Sequence, residues 1–90
     1  QLSQNYPNPF KKETRIMITS SFKRDVKLVV WSLSGKKIIT LLDDELYPGY
    51  HVFKWSGKNT MGERVSSGIY FCSLIWKNDI TETKKLIYFH

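Results

Sequence analysis

Few residues in this chain could do chemistry. His51 lies in an alternating stretch with Phe53 and Trp55, His90 is the last residue given, and Cys72 lies in the densest apolar run. A zinc site needs four donors, and a nucleophilic site needs a nucleophile, a base and a residue that orients the base. Two histidines and one cysteine supply neither set. The sequence therefore predicts no catalytic residue, no metal ligand and no cofactor, which favours a protein that is not an enzyme.

The loop of residues 56–63 has oxygen-bearing side chains, as a calcium loop requires. Lys58 and Arg64 lie within or beside it and would repel a cation. The loop contains Gly57 and Gly62, and Gly68 follows before the next apolar run, so its composition is typical of chain reversals. We expect a structural loop, in which Gly68 is the most important glycine because it sets the direction of the following strand.

Four aromatic residues suggest a different activity, because aromatic rings on a sheet face can stack on sugar rings. They are Trp31, Tyr47, Tyr50 and Trp76. A carbohydrate-binding module is therefore an alternative to a purely structural role for these rings. Exposed, coplanar rings would favour sugar binding, and buried rings would favour a place in the core and at its rim.

The formal charge of +6 arises from 14 Lys and Arg against 8 Asp and Glu. The lysines are scattered singly and in pairs, without a run of five or six like charges. This distribution is typical of solubility and of the protection of exposed strand edges, so no nucleic-acid partner is predicted. No stretch of 18 apolar residues is present, so no membrane span is predicted either.

Apolar and polar residues alternate with a period near two along most of the chain, which indicates strands. Gly35 lies in a short turn, and residues 43–45 with 48–49 are expected to form the next one. The predicted strands are 14–19, 25–33, 36–42, 50–55, 69–77 and 80–89, with a short further strand around Val65. The pattern predicts an all-β, immunoglobulin-like antiparallel β-sandwich of about seven strands.

Residues 1–12 are predicted to be an ordered lead-in from a preceding domain, and residues 13–90 the sandwich. Pro7 and Pro9 favour extended backbone in the lead-in, and we expect Tyr6 and Phe10 to hold it against the domain. Because the sequence begins with Gln1, we expect it to be a piece of a longer protein.

Five short motifs occur in an order that resembles one known family. They are Asn-Tyr-Pro-Asn-Pro-Phe at 5–10, Leu-Ser-Gly-Lys-Lys-Ile at 33–38, Trp-Ser-Gly at 55–57 with Asn59 and Gly62, Ser-Gly-Ile-Tyr-Phe at 67–71 and Thr-Lys-Lys-Leu-Ile at 83–87. The chain resembles the type A C-terminal sorting domain of the type IX, or Por, secretion system, and the related Ig-like domain of the flagellar hook-capping protein. One departure is Ser56, where the family usually has Asp.

The resemblance implies a non-enzymatic sorting and anchoring domain that directs an exported bacterial protein to the cell surface or medium by way of the periplasm. Its implied partners are a receptor protein of the secretion machinery and an N-terminal cargo domain in the same chain. The alternative is a carbohydrate-binding or structural Ig-like accessory module of a secreted multidomain enzyme. The implied recognition residues are Pro7, Pro9, Gly35, Lys36, Lys37, Gly68, Tyr70, Lys85, Leu86 and Ile87.

Overall fold

Six antiparallel strands form two facing sheets in the computed structural model, which describes residues 1–90. The strands are β1 (Thr14–Ser20), β2 (Arg24–Ser32), β3 (Lys37–Leu46), β4 (Gly49–Trp55), β5 (Gly68–Trp76) and β6 (Asp79–Tyr88). The smaller sheet pairs β1 with β4, and the larger has the order β3-β2-β5-β6. The predicted all-β, two-sheet architecture is confirmed. Around Val65 there is only a single bridge, between Lys58 and Arg64, and no seventh strand.

The alternation of side chains determines which face of each strand is buried. Ile16 and Ile18 of β1 face the core, as do Leu28 and Val30 of β2. The central strands β2 and β5 carry apolar residues on both faces, and each pairs with two neighbours. Burial of these side chains between the sheets is the main stabilising term of the fold.

An aromatic cluster fills one end of the core. Phe10 lies 5.0 Å from Tyr88 and 5.5 Å from Trp55 between ring centroids, and Trp55 lies 5.2 Å from Tyr70. These separations, and the edge-on angles of the two pairs that include Trp55, are those that aromatic pairs prefer. The cluster joins the lead-in, β4, β5 and β6, so all four are fixed relative to one another.

The acidic segment Asp43–Glu45 belongs to β3 and not to a turn, so that prediction was wrong. Asp43 pairs with Lys27 across the β2–β3 ladder, and Leu46 beyond the acids is buried. Cross-strand attraction and the burial of Leu46 outweigh the low strand propensity of the acids. The reversal that follows is limited to residues 47–48.

The lead-in lies beside β1 and ends beside β6. Leu2, opposite Ile18, is buried, and so is Phe10. Tyr6 pairs with Arg15 on the outer side of the sheet and is 78% exposed. The expectation that the Tyr6 ring holds the lead-in against the domain was therefore wrong. The pairing of the lead-in with β1 directs the Tyr6 ring towards solvent and the Leu2 side chain into the core. No helix of a length and apolarity that could cross a membrane is found in the structure.

Candidate recognition surface

The segments that resemble the sorting family converge at one end of the sandwich. Because the strands are antiparallel, β2 ends where β3 begins, and β5 begins where β6 ends. Ser32 pairs with Tyr70, Tyr70 with Leu86, and Phe10 with Tyr88. We call this the motif end. It consists of the β2–β3 turn, the start of β5, the last four residues of β6 and residues 7–10 of the lead-in.

The lead-in covers the outer edge of β6 at the motif end. Asn8 accepts a hydrogen bond from the amide of Ile87 at 2.8 Å and donates to the carbonyl of Lys85 at 3.3 Å. Gln4 donates to the same carbonyl at 2.8 Å, and the Phe10 amide donates to the Ile87 carbonyl at 3.0 Å. The edge at Lys85 and Ile87 is thus already hydrogen-bonded, so a partner strand could not add there while the lead-in is in place.

A buried polar contact holds the proline-containing segment in position. The Asn5 amide donates to the Thr14 hydroxyl at 2.8 Å, and that hydroxyl donates to the Pro7 carbonyl at 2.7 Å. Both side chains are buried, and a buried polar group without a partner is costly. The contact therefore favours one path for the backbone around Pro7.

Gly57 is the glycine at which a side chain is excluded most strictly. Its φ is +74°, and a Cβ there would lie 2.3 Å from Cζ of Tyr88. The Trp55 indole donates to the Lys58 carbonyl at 2.9 Å and so holds the adjacent chain. We expected the strongest requirement for glycine at Gly68, but a Cβ at that position would meet no atom within 4 Å.

In the same loop, the side-chain oxygen of Asn59 accepts hydrogen bonds from the amides of Met61 and Glu63, each at 3.0 Å. The Asn59 amide donates to the Glu63 carboxylate at 3.3 Å. Asn59 and Glu63, two of the oxygen-bearing residues of this loop, are therefore engaged in hydrogen bonds that shape the turn.

The candidate recognition residues divide into two sets by exposure. The exposed residues are Pro7, Pro9, Gly35, Lys36, Lys37 and Lys85. Tyr70 and Leu86 are buried, and Gly68 and Ile87 are partly buried. A folded partner could touch the first set directly, whereas Tyr70 and Leu86 are covered by neighbouring side chains.

Two groups have a pKa that departs from the ordinary value, and burial is the main cause in both. It raises the pKa of the Cys72 thiol to about 12, so the thiol stays protonated at neutral pH. Burial, with a smaller contribution from Tyr88, also raises the pKa of Tyr70, whose hydroxyl donates to the Ser66 carbonyl. Neither group has the character of a nucleophile, since the thiolate is the reactive form of cysteine.

None of the four aromatic rings considered for sugar binding packs against another of the four. Trp31 and Trp76 are partly buried, and Trp76 makes an edge-on contact with Phe22. Tyr47 and Tyr50 are exposed, and neither is paired with another ring. The His51 ring shares a hydrogen bond of 2.6 Å with the Tyr47 carbonyl, which ties it to the β3–β4 turn.

Four residues hold the motif end together: Asn5, Asn8, Gly57 and Tyr88. Sequence reasoning placed the first three in motifs without predicting their contacts, and it gave Tyr88 no role. The two asparagines alternate with the prolines at 7 and 9, and that spacing was the only available signal. The approach of Gly57 to Tyr88 joins residues 31 positions apart, so no local pattern could reveal it.

A family model described as a secretion system C-terminal sorting domain matches residues 4–88. Comparisons with curated proteins and with solved structures found no significant match. Domains of this family mark proteins that are exported by type IX secretion to the cell surface or the medium. The match covers the lead-in, both sheets and every segment of the motif end, and the chain therefore belongs to the family of secretion system C-terminal sorting domains.

Proposed function

We propose that this domain directs a cargo domain in the same chain through the type IX secretion system, and that a receptor protein of the machinery recognises the motif end. The observation that supports this most is the convergence of four separated sequence motifs on one surface. Side chains needed only for folding would not have to collect at one end of a sandwich. The domain itself would act by binding and not by catalysis.

The position of the first residue supports the same assignment. The Gln1 carbonyl accepts a hydrogen bond from the Thr19 amide, and the Leu2 amide donates to the Glu82 carboxylate. Glu82 precedes Tyr88 by six residues on β6, a distance of about 20 Å along an extended strand. A cargo domain joined at Gln1 would thus leave the motif end free for the receptor.

The exposed and buried motif residues would have different tasks. Lys36, Lys37 and Lys85 would contact the receptor, and the rings of Pro7 and Pro9 would present a fixed surface beside them. Tyr70 and Leu86 would maintain the packing that holds these side chains at fixed spacings. Recognition would use side chains and turns, because the lead-in occupies the β6 edge.

A secretion assay tests this function. A periplasmic reporter is expressed with and without residues 1–90 at its C-terminus in a bacterium that has type IX secretion. We expect the fusion at the cell surface or in the medium, and the reporter alone in the periplasm. Periplasmic retention of a folded fusion would contradict the proposal and leave a structural spacer as the better description.

A carbohydrate-binding accessory role is the second candidate, because the side chains of Tyr47 and Tyr50 are exposed. Pull-down on immobilised glycans, with a Tyr47→Ala/Tyr50→Ala variant as control, tests it. Retention of the wild type but not the variant would support sugar binding.

A further inference from the structure

The outer face of the four-stranded sheet has a feature that the sorting assignment does not explain. Strand register places Lys37, Trp31, Phe71 and Lys85 side by side in one row across β3, β2, β5 and β6. The two aromatic residues occupy the middle of the row and the two lysines its ends. Each lysine belongs to a different sequence motif, and both are exposed.

The next row along the sheet consists of small side chains. It runs Thr40, Val29, Ser73 and Thr83, and the hydroxyls of Ser73 and Thr83 are 3.0 Å apart. Although they face away from the core, Val29 and Ser73 are each only 2% exposed. Taller side chains on both sides cover them, so this row is the floor of a groove.

The groove has a volume of about 370 Å³. Trp31, Leu33 and Phe71 line one side, and Ile80 lines the other. Leu33 and Ile80 are 67% and 59% exposed, respectively, so the sides of the groove present apolar surface to solvent. The groove therefore offers apolar surface to an occupant, above a floor with hydroxyl groups.

The charges beside the groove are of one sign. The aromatic row and the small-residue row contain two lysines and no carboxylate. The nearest acid on this face is Asp43, one row further, where it pairs with Lys27. A groove of this kind attracts anionic groups to its two ends and apolar groups to its centre.

We propose that this groove binds an extended acidic peptide segment of a secretion-machinery protein, with apolar side chains on the groove and carboxylates on Lys37 and Lys85. The inference rests on the proposed function, since it names the chemistry of the receptor. Three strand spacings separate the lysines, about 14 Å, and residues i and i+4 of an extended chain are about 13 Å apart. A recessed groove with apolar sides fits a peptide better than it fits the flat surface of an anionic membrane.

The first test compares two charge-matched double variants of the exported fusion. Lys37→Glu/Lys85→Glu reverses the sign of the charge at the two ends of the groove. Lys12→Glu/Lys58→Glu makes the same change in net charge at exposed sites elsewhere. We expect at least a tenfold loss of export for the groove variant and less than a twofold change for the control, with thermal midpoints of both near that of wild type. Thr83→Trp, which fills the groove without a change of charge, should also reduce export.

Export of the groove variant and of Thr83→Trp at the control level, in cells that export wild type, would overturn the inference and leave the proposed function intact. Failure of wild type itself to leave the periplasm would instead overturn the proposed function. If the groove variant does not fold, Thr83→Trp alone decides the question.

A photo-crosslinking residue at position 80 of the exported fusion, where the exposed Ile80 side chain lines the side of the groove and not its floor, identifies the class of occupant. We expect a crosslink to a protein segment with two acidic residues four positions apart, lost in the Lys37→Glu/Lys85→Glu background. A crosslink to lipid or glycan, to a segment without acids, or to nothing while export proceeds would contradict the inference.

Discussion

Gly57 lies directly beneath the ring of Tyr88, so close that a Cβ on Gly57 would be 2.3 Å from Cζ of the ring. Tyr88 in turn packs on Phe10 of the lead-in. The loop after β4 is thus joined through one side chain to the end of β6 and to the lead-in, two parts of the motif end.

Replacing Gly57 by Ala should destabilise the domain by about 3 kcal/mol, through the clash with Tyr88 and the strained positive φ. Gly62→Ala is the matched control, because Gly62 also has positive φ, +81°, but a Cβ at that position would meet no atom within 4 Å. That change should cost about 1 kcal/mol. Urea unfolding followed by tryptophan fluorescence measures both, and equal losses would show that the contact with Tyr88 is unimportant.

Asn8→Ala should loosen the lead-in from β6. The variant loses the acceptor for the Ile87 amide and one of two donors to the Lys85 carbonyl, which should cost about 1 to 2 kcal/mol. Hydrogen exchange should become faster at the Ile87 amide, with Tyr6→Ala as an exposed control in the same segment. Unchanged exchange at Ile87 would contradict the assignment of Asn8 as the residue that closes this edge.

Cys72 should make stability dependent on alkaline pH. Its folded pKa of about 12 lies above the ordinary thiol value of 9.0, so its contribution is complete below pH 9 and is lost as pH rises towards 12. Across that interval the free energy of unfolding should fall by about 1.4 kcal/mol per pH unit from this group. Cys72→Val should show a shallower decline, and parallel pH profiles for the two proteins would contradict this account.

Lys85→Ala should leave the thermal midpoint unchanged, because the side chain is exposed and has no ion-pair partner. Export of the reporter fusion should fall, because a contact with the receptor is removed. Lys58→Ala, another exposed lysine outside the groove, should be exported like wild type. Normal export of Lys85→Ala would show that this residue has no part in recognition.

The strands were predictable because alternation is a local signal. The predicted strands 14–19 and 69–77 agree with β1 and β5 to within one residue at each end for this reason. The acidic end of β3 was not predicted, because its pairing with β2 joins residues that are distant in the sequence, such as Asp43 and Lys27.

The recognition surface was only partly predictable. Motif resemblance indicated segments such as Lys37 and Lys85, but not that they lie in one row with Trp31 and Phe71. That relationship depends on the register of four strands, and two of their ladders contain irregularities. Each irregularity changes which side chains share a face, so the groove could be found only from the folded structure.

The central claim is that residues 1–90 are sufficient to send a folded protein out through type IX secretion. The most direct measurement is the fraction of a periplasmic reporter, fused to this domain, that reaches the surface or medium in wild-type cells and in cells that lack a functional type IX system. We predict export in the first strain and periplasmic retention in the second. Retention in both, or export in both, would contradict the claim.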